Sequence, residues 1–270
     1  LKKWYNGYNF LGEKVYNPFD VLLYLENRQL KNYWFETGTP DFLIQLMKQS
    51  QFSLPELESF YSTDDLMNKF DANNLVIEGF FFQTGYLTIK ERFNALNGLE
   101  KYRLGFPNLE VQHSLSSLFL STCSPTRFNH HLQQQIVTGI LEGNPTLFEA
   151  PLKQFFSSIP FDWYKFSGME KYEGYWSSLI YSVFAMVGVY LQAEDTTNKG
   201  RIDLSLSHEN HMFIIEFKMT TNNEDPIEQI KSKGYAEKYQ QPDMKIWAVG
   251  ITFDKNERNI TKFQTERLLT

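Results

Sequence analysis

The sequence predicts an α/β protein: a mixed central sheet flanked by helices in the C-terminal part, preceded by a mainly helical, winged-helix-like domain. Three observations carry this reading. Residues 200–206 and 213–218 are β-rich and flank a short polar stretch, Ser207-His208-Glu209-Asn210-His211, of hairpin-loop length. Residues 246–253 form a nearly unbroken apolar run, as a strand covered on both faces requires. A helical segment separates that run from the strand containing Glu216, so the two pair in parallel through a right-handed crossover.

Composition sets the bounds. A chain of 270 residues with 42% hydrophobic and 16% aromatic content can bury a substantial core in two domains. The boundaries expected are 1–113, a helical connector at 114–160, and 161–270. Net charge is −6, so any contact with nucleic acid must use a local basic patch. Cys123 is the sole cysteine, which excludes an internal disulfide and fits a reducing, cytoplasmic setting. The apolar helical stretch at 179–191 falls short of the ~20 residues that span a bilayer, so no membrane association is expected. With Leu1 in place of an initiating Met, the chain is expected to be a fragment of a longer protein with something upstream missing.

The first segment is irregular and anchored by aromatics, with Asn6-Gly7 and Asn17-Pro18 as turn signals. Pro18 suits the first position of a helix continuing through Leu25. Residues 41–47 and 65–70 have helical spacing. Residues 76–82 then lead into strands at 86–89 and around 102–104, helices followed by a two-stranded wing. Packing alone, or contact with a partner or DNA, fits this module. Leu115, Leu118, Phe119, Leu132, Ile136 and Ile140 recur at helical intervals in the connector. His130-His131 point in different directions on such a helix and read as a surface pair, not as a metal site.

A long amphipathic helix is expected from about residue 170 to 191. Glu173, Trp176, Ile180, Phe184, Val187 and Leu191 make one stripe, and Glu173 begins it. A carboxylate on a buried face is costly unless paired or metal-bound. A helix N-terminus also favours an acid without any ligand, and Glu170 is an alternate. In the hairpin, side chains alternate between faces. Asp203 leaves the face opposite Ile202, Leu204 and Leu206, and Glu216 shares a face with Lys218. Two carboxylates and an ammonium then converge on one patch able to hold a hard divalent cation. Further on, Asp225, Pro226 and Glu228 sign the start of a helix lined by Gln229, Lys231, Lys233, Tyr235 and Lys238.

Gly200-Arg201-Ile202-Asp203 and Ile214-Ile215-Glu216-Phe217-Lys218 resemble the PD-(D/E)XK nuclease superfamily, in particular the bacterial branch fused behind AAA-ATPase-like domains. The order helix, two strands, helix, strand from Glu170 to Phe253 agrees with that family's restriction-endonuclease-like core. The resemblance implies a Mg²⁺- or Mn²⁺-dependent nuclease, with Asp203 and Glu216 as metal ligands. Glu173 matches the acid on the first core helix, with a second ion or a metal-bound water. Lys218 is the residue that assists the attacking water. It further implies substrate contact by Gln229 and Tyr235, although Gln229 to Tyr235 is longer than the Gln-x-x-x-Tyr spacing of RecB-type relatives. Lys231, Lys233 and Arg201 complete a nucleic-acid-binding set, with DNA the expected substrate. The first 110 residues resemble the tail of the AAA-ATPase-like domain, notably Tyr33-Trp34-Phe35-Glu36-Thr37-Gly38 and Phe106-Pro107-Asn108-Leu109-Glu110-Val111. No Gly-Lys dipeptide occurs, so no phosphate-cradling loop is expected in these residues. A catalytically silent nucleic-acid-binding or regulatory module is the alternative. A structural interaction domain is the third reading.

Overall fold

The computed structural model describes residues 1–36, 53–63, 77–94, 100–123, 130–160, 173–222 and 224–269. The helices expected at 41–47 and 65–70, and Glu170, lie outside the described residues. The chain divides into two compact units, residues 1–46 with 56–118, and residues 47–55 with 119–270.

In the first unit, α1 (Lys2–Tyr5) leads into an antiparallel ribbon of β1 (Asn6–Tyr8) and β2 (Val15–Tyr16). Pro18 opens α2 (Pro18–Asn27) as expected, because its missing N–H is one that the helix would leave unpaired anyway. Asn17 Oδ1 accepts the Phe19 amide at 3.0 Å and caps the helix. There follow α3 (Tyr33–Glu36), a 3-10 turn (Pro55–Ser59), β3 (Phe60–Thr63), α4 (Ile77–Gln83), β4 (Thr88–Asn94), β5 (Glu100–Gly105) and α5 (Leu109–Cys123). Strands β3, β5 and β4 make an antiparallel sheet in that order. Among its described residues the unit is built of both helix and strand. β3 escapes sequence reading because four residues are too few to show a period. Phe19, Leu22 and Leu25 of α2 are exposed, an apolar row at helical spacing, and Phe10 between β1 and β2 is exposed as well.

The second unit contains α6 (His130–Leu141), a 3-10 turn (Pro145–Phe148), α7 (Glu149–Ser157), α8 (Glu173–Val187), β6 (Tyr190–Thr197), β7 (Gly200–His208), β8 (His211–Met219), α9 (Pro226–Ser232), a 3-10 turn (Tyr235–Tyr239), β9 (Lys245–Asp254) and β10 (Asn259–Leu269). His130 and His131 are both exposed at the start of α6. The strands form a mixed sheet in the order β10-β9-β8-β7-β6. The β8–β9 pair is parallel and the other neighbours are antiparallel. This is a restriction-endonuclease-like arrangement of mixed sheet and flanking helices.

Helices cover both faces. On one, Trp176 of α8 stacks on Phe253 with ring centroids 5.3 Å apart, and Phe148 meets Phe184 and Phe213. Each such aromatic pair adds about 1 kcal/mol beyond the area it buries. On the other, Ile227 and Ile230 of α9 pack with Ile202, Ile214, Ile246 and Ala248.

Three expectations are corrected. The helix ends at Val187 rather than near Leu191, because Gly188 takes a left-handed φ of +80°. Residues 190–197 are a strand, so the order is α-β-β-β-α-β-β. The hairpin loop shrinks to Glu209-Asn210, since His208 and His211 pair across the strands. Beyond these, residues 259–269 pair with β9 as a final edge strand.

Candidate active site

The β7–β8 ladder stops at the pair Leu204–Ile215. One step further, side chains take over from backbone. The Phe217 amide donates to Asp203 Oδ2 at 2.8 Å, and the Asp203 amide donates to Glu216 Oε1 at 3.3 Å. Each carboxylate thus satisfies an amide that the ended ladder leaves over. Asp203 and Glu216 are held face to face in this way. Glu216 is fully buried and Asp203 is half-buried.

A distortion in the neighbouring strand accompanies this. Between the paired residues Ala193–Leu204 and Asp195–Ile202, Glu194 and Asp203 are left. Glu194 has φ +50°, a left-handed conformation unusual for a residue with a side chain. The strict alternation expected along β7 slips there. Ile202 joins the cluster beneath α9 with Ile214, whereas Leu204 lies opposite Ile215. The period-two reading that put Ile202 and Leu204 on one face is therefore wrong at Asp203. Non-glycine backbone of this kind concentrates at functional sites.

From the α9 side, Gln229 Nε2 donates to Glu216 Oε2 at 2.7 Å. Gly250 makes this approach possible. It lies beside Glu216 in the parallel pair, and a Cβ there would stand 2.7 Å from Pro226 Cγ. The Asp225 side chain accepts the Ile227 and Glu228 amides, as its place before Pro226 implies. The helix expected to run on through Lys238 stops at Ser232. Gly234 is left-handed (φ +59°), and a 3-10 turn follows. That break lets Tyr235 turn inward, where its hydroxyl donates to the Arg201 carbonyl at 2.9 Å.

Lys218 extends from β8 with 12% of its side chain exposed, and Nζ lies 3.4 Å from Glu224 Oε2. Glu173, the first residue of α8, is half-buried and within electrostatic reach of Asp203, Lys218 and Glu224. Five groups expected from the sequence, Glu173, Asp203, Glu216, Lys218 and Gln229, therefore come together. Tyr235 touches the backbone beside them. The cationic set is more dispersed. Lys231 pairs with Glu228 and Glu266, Lys233 is exposed, and Arg201 pairs with Glu194 at 3.1 Å.

All three acids are raised above their ordinary range. Burial, then the charge of Asp203, pushes Glu216 up to about 10. Burial raises Asp203 as well, against the lowering effect of the Phe217 amide. Glu173 is raised by burial and by Asp203. Acids so placed resist losing all their protons together unless a positive ion joins them. The donor set is hard oxygen with a neighbouring ammonium, which suits Mg²⁺ or Mn²⁺ over a softer metal. Among the described residues no ready-made cluster of three or more metal-ligating side chains is present.

Sequence reading missed a second buried network nearby. Asp195, 1% exposed, accepts from Gln192 (2.7 Å), Ser205 (3.1 Å), Lys238 and Tyr239. It fastens the turn bearing Tyr235 to β6 and β7. An acid at an alternating position after Gly188 is the signal that could have revealed it. Glu224, also missed, lies in a loop with no period.

Comparison with known proteins agrees with this geometry. The model of the PD-(D/E)XK nuclease superfamily matches residues 171–263, so this stretch is similar to that superfamily's nuclease domain. The chain is also 39% identical over 275 aligned positions to an uncharacterised protein from the vnfD 5′ region of Azotobacter chroococcum mcd 1. The match takes in 99% of this chain and 52% of that protein, so the chain spans about half the length of its curated relative.

Proposed function

We propose that the second unit is a metal-dependent nuclease that hydrolyses phosphodiester bonds, DNA being the favoured substrate. The observation that carries this is the meeting of Asp203 and Glu216 at the end of the β7–β8 ladder, with Lys218 two residues on. Asp203 and Glu216 would hold Mg²⁺ or Mn²⁺, with Glu173 contributing to a second ion or to a water. Such an ion, when bound, supplies Lewis acidity to an attacking water and offsets charge on phosphoryl oxygens.

The chain's own residues do the rest. Gln229 fixes the Glu216 carboxylate through Oε2, leaving its orientation determined from both sides. Tyr235 holds the Arg201 carbonyl and so the backbone leading into Asp203. Lys218 orients the water or takes its proton, and its charge opposes the negative charge that develops on phosphate. Lys233 is accessible for phosphate contact, and Arg201 and Lys231 would have to exchange their carboxylate partners for phosphate.

The chain would act within a longer protein that carries an AAA-ATPase-like region, with no nucleotide site in the residues present. A relative about twice as long supports this, as does the apolar row on α2, which a further domain could cover. The single cysteine fits a cytoplasmic setting. The net charge of −6 favours the second reading, a silent binding or regulatory module. Plasmid cleavage in Mg²⁺ and Mn²⁺ separates the two. Cleavage by the wild type, lost in Asp203→Ala, is the expected result. Saturable metal binding without cleavage of DNA or RNA would instead select the silent module.

A further inference from the structure

The first unit contains another pair of buried acids, and the proposed nuclease chemistry makes no use of them. Asp20 is the third residue of α2 and Glu110 the second of α5, and both are fully buried. Glu110 Oε1 accepts the Trp34 amide at the start of α3, at 3.0 Å. Among the described residues, Glu110 Oε2 and both Asp20 oxygens meet no hydrogen-bond donor. Yet the two carboxyls lie within hydrogen-bonding reach of each other. Ionised carboxylates only accept, so two of them in contact cannot bond. If one is protonated, an O–H donates across the gap and uses one unmatched oxygen on each side.

The titratable groups facing the pair are phenols, Tyr5 from α1 and Tyr8 from β1, with Tyr86 next to Tyr8, while Tyr33 of α3 offers Glu110 its backbone amide and turns its hydroxyl to the Gln29 carbonyl. His113, one turn along α5 from Glu110, is held by the Asn32 side-chain amide at 2.8 Å and lies against the Trp4 ring. The first turns of α2 and α5 favour negative charge near them. At such burial, two such charges in contact repel strongly. One negative charge and one proton is the state that satisfies both conditions.

We infer that Asp20 and Glu110 hold a single proton between them, and that this proton is a pH-sensitive latch joining the starts of α2, α3 and α5. Burial, then the bond to Asp20, raises Glu110 to about 9, and burial raises Asp20 too. The sign follows. The folded pair keeps a proton that the unfolded chain releases near the ordinary glutamate value of 4.5. Stability from the latch is therefore present below that pH and is lost as pH rises toward 9.

Hydrogen exchange of the full chain, in EDTA, reads this segment by segment, which keeps it separate from the acids of the second unit. Protection of α2 and α5 amides, corrected for intrinsic rate, should fall by about tenfold or more between neutral pH and pH 9. Asp20→Asn supplies a permanent N–H donor toward Glu110 and should flatten that dependence while leaving both helices protected. Glu110→Gln, which still accepts the Trp34 amide, should do the same and guards against one variant misfolding. Retention of the wild-type pH dependence in both variants would overturn the shared proton. So would protection restored by Mg²⁺, Ca²⁺ or Mn²⁺ in the wild type alone, which would make the acids a metal site.

Discussion

Replacing Glu216 with Gln should stabilise the metal-free protein at neutral pH while removing its affinity for cations. In the fold Glu216 is fully buried and titrates near 10, against an ordinary value of 4.5. The folded chain therefore retains at pH 7 a proton that the unfolded chain has given up. Each pH unit across that gap costs about 1.4 kcal/mol, so the penalty by neutral pH is roughly 3 kcal/mol. Its sign is fixed: stability is fullest near pH 4.5 and declines as pH rises through the folded value. A glutamine has no proton to lose. Its carbonyl still accepts the Asp203 amide, and with the Gln229 amide turned round its N–H₂ finds an acceptor. In EDTA the variant should nearly equal wild type at about pH 5 and exceed it by roughly 3 kcal/mol at about pH 7. With Mn²⁺ only the wild type should gain stability, by mass action on the folded state. Urea unfolding followed by tryptophan fluorescence reads all four conditions. A variant less stable than wild type at both pH values, and a wild type indifferent to Mn²⁺, would mean that Glu216 is a structural carboxyl.

Two further substitutions probe how the site is held. Gly250→Ala places a Cβ 2.7 Å from Pro226 Cγ, so overpacking should cost about 1–3 kcal/mol and lift Gln229 from Glu216. Calorimetry should show weaker Mn²⁺ binding, restored by adding Pro226→Ala; unchanged affinity would disconnect α9 from the site. Asp195→Ala strands Lys238 and Tyr239 and should cost about 3 kcal/mol in denaturant unfolding, whereas a loss under 1 kcal/mol would show the network to be solvated.

What was legible followed from periodicity and from residues with one strong local preference. The parallel return of β9 was readable because a buried central strand must be apolar on both faces. The start of α9 was readable because Asp225 and Pro226 suit only a helix N-terminus. The meeting of Asp203 and Glu216 beside Lys218 was readable because carboxylates next to Ile214, Ile215 and Phe217 need a reason to be there. What stayed hidden depended on partners distant in sequence. β6 was absorbed into α8 because apolar Leu191 continued the helical stripe, although Gly188 carried the stop. The slip at Asp203 depends on Glu194, whose positive φ no residue type announces. The Asp20–Glu110 pair joins residues 90 positions apart in sequence, each of which alone reads as an ordinary first-turn acid.

Lys218 gives the most direct measurement. It sits on the same strand as Glu216 but, while protonated, cannot ligate a cation, so Lys218→Ala should bind Mn²⁺ as tightly as wild type and keep its melting temperature. Plasmid cleavage by the same preparation should fall by about 10²–10⁴, the usual cost of losing a positioned catalytic group. Full cleavage by Lys218→Ala, with metal affinity intact, would contradict the assigned site.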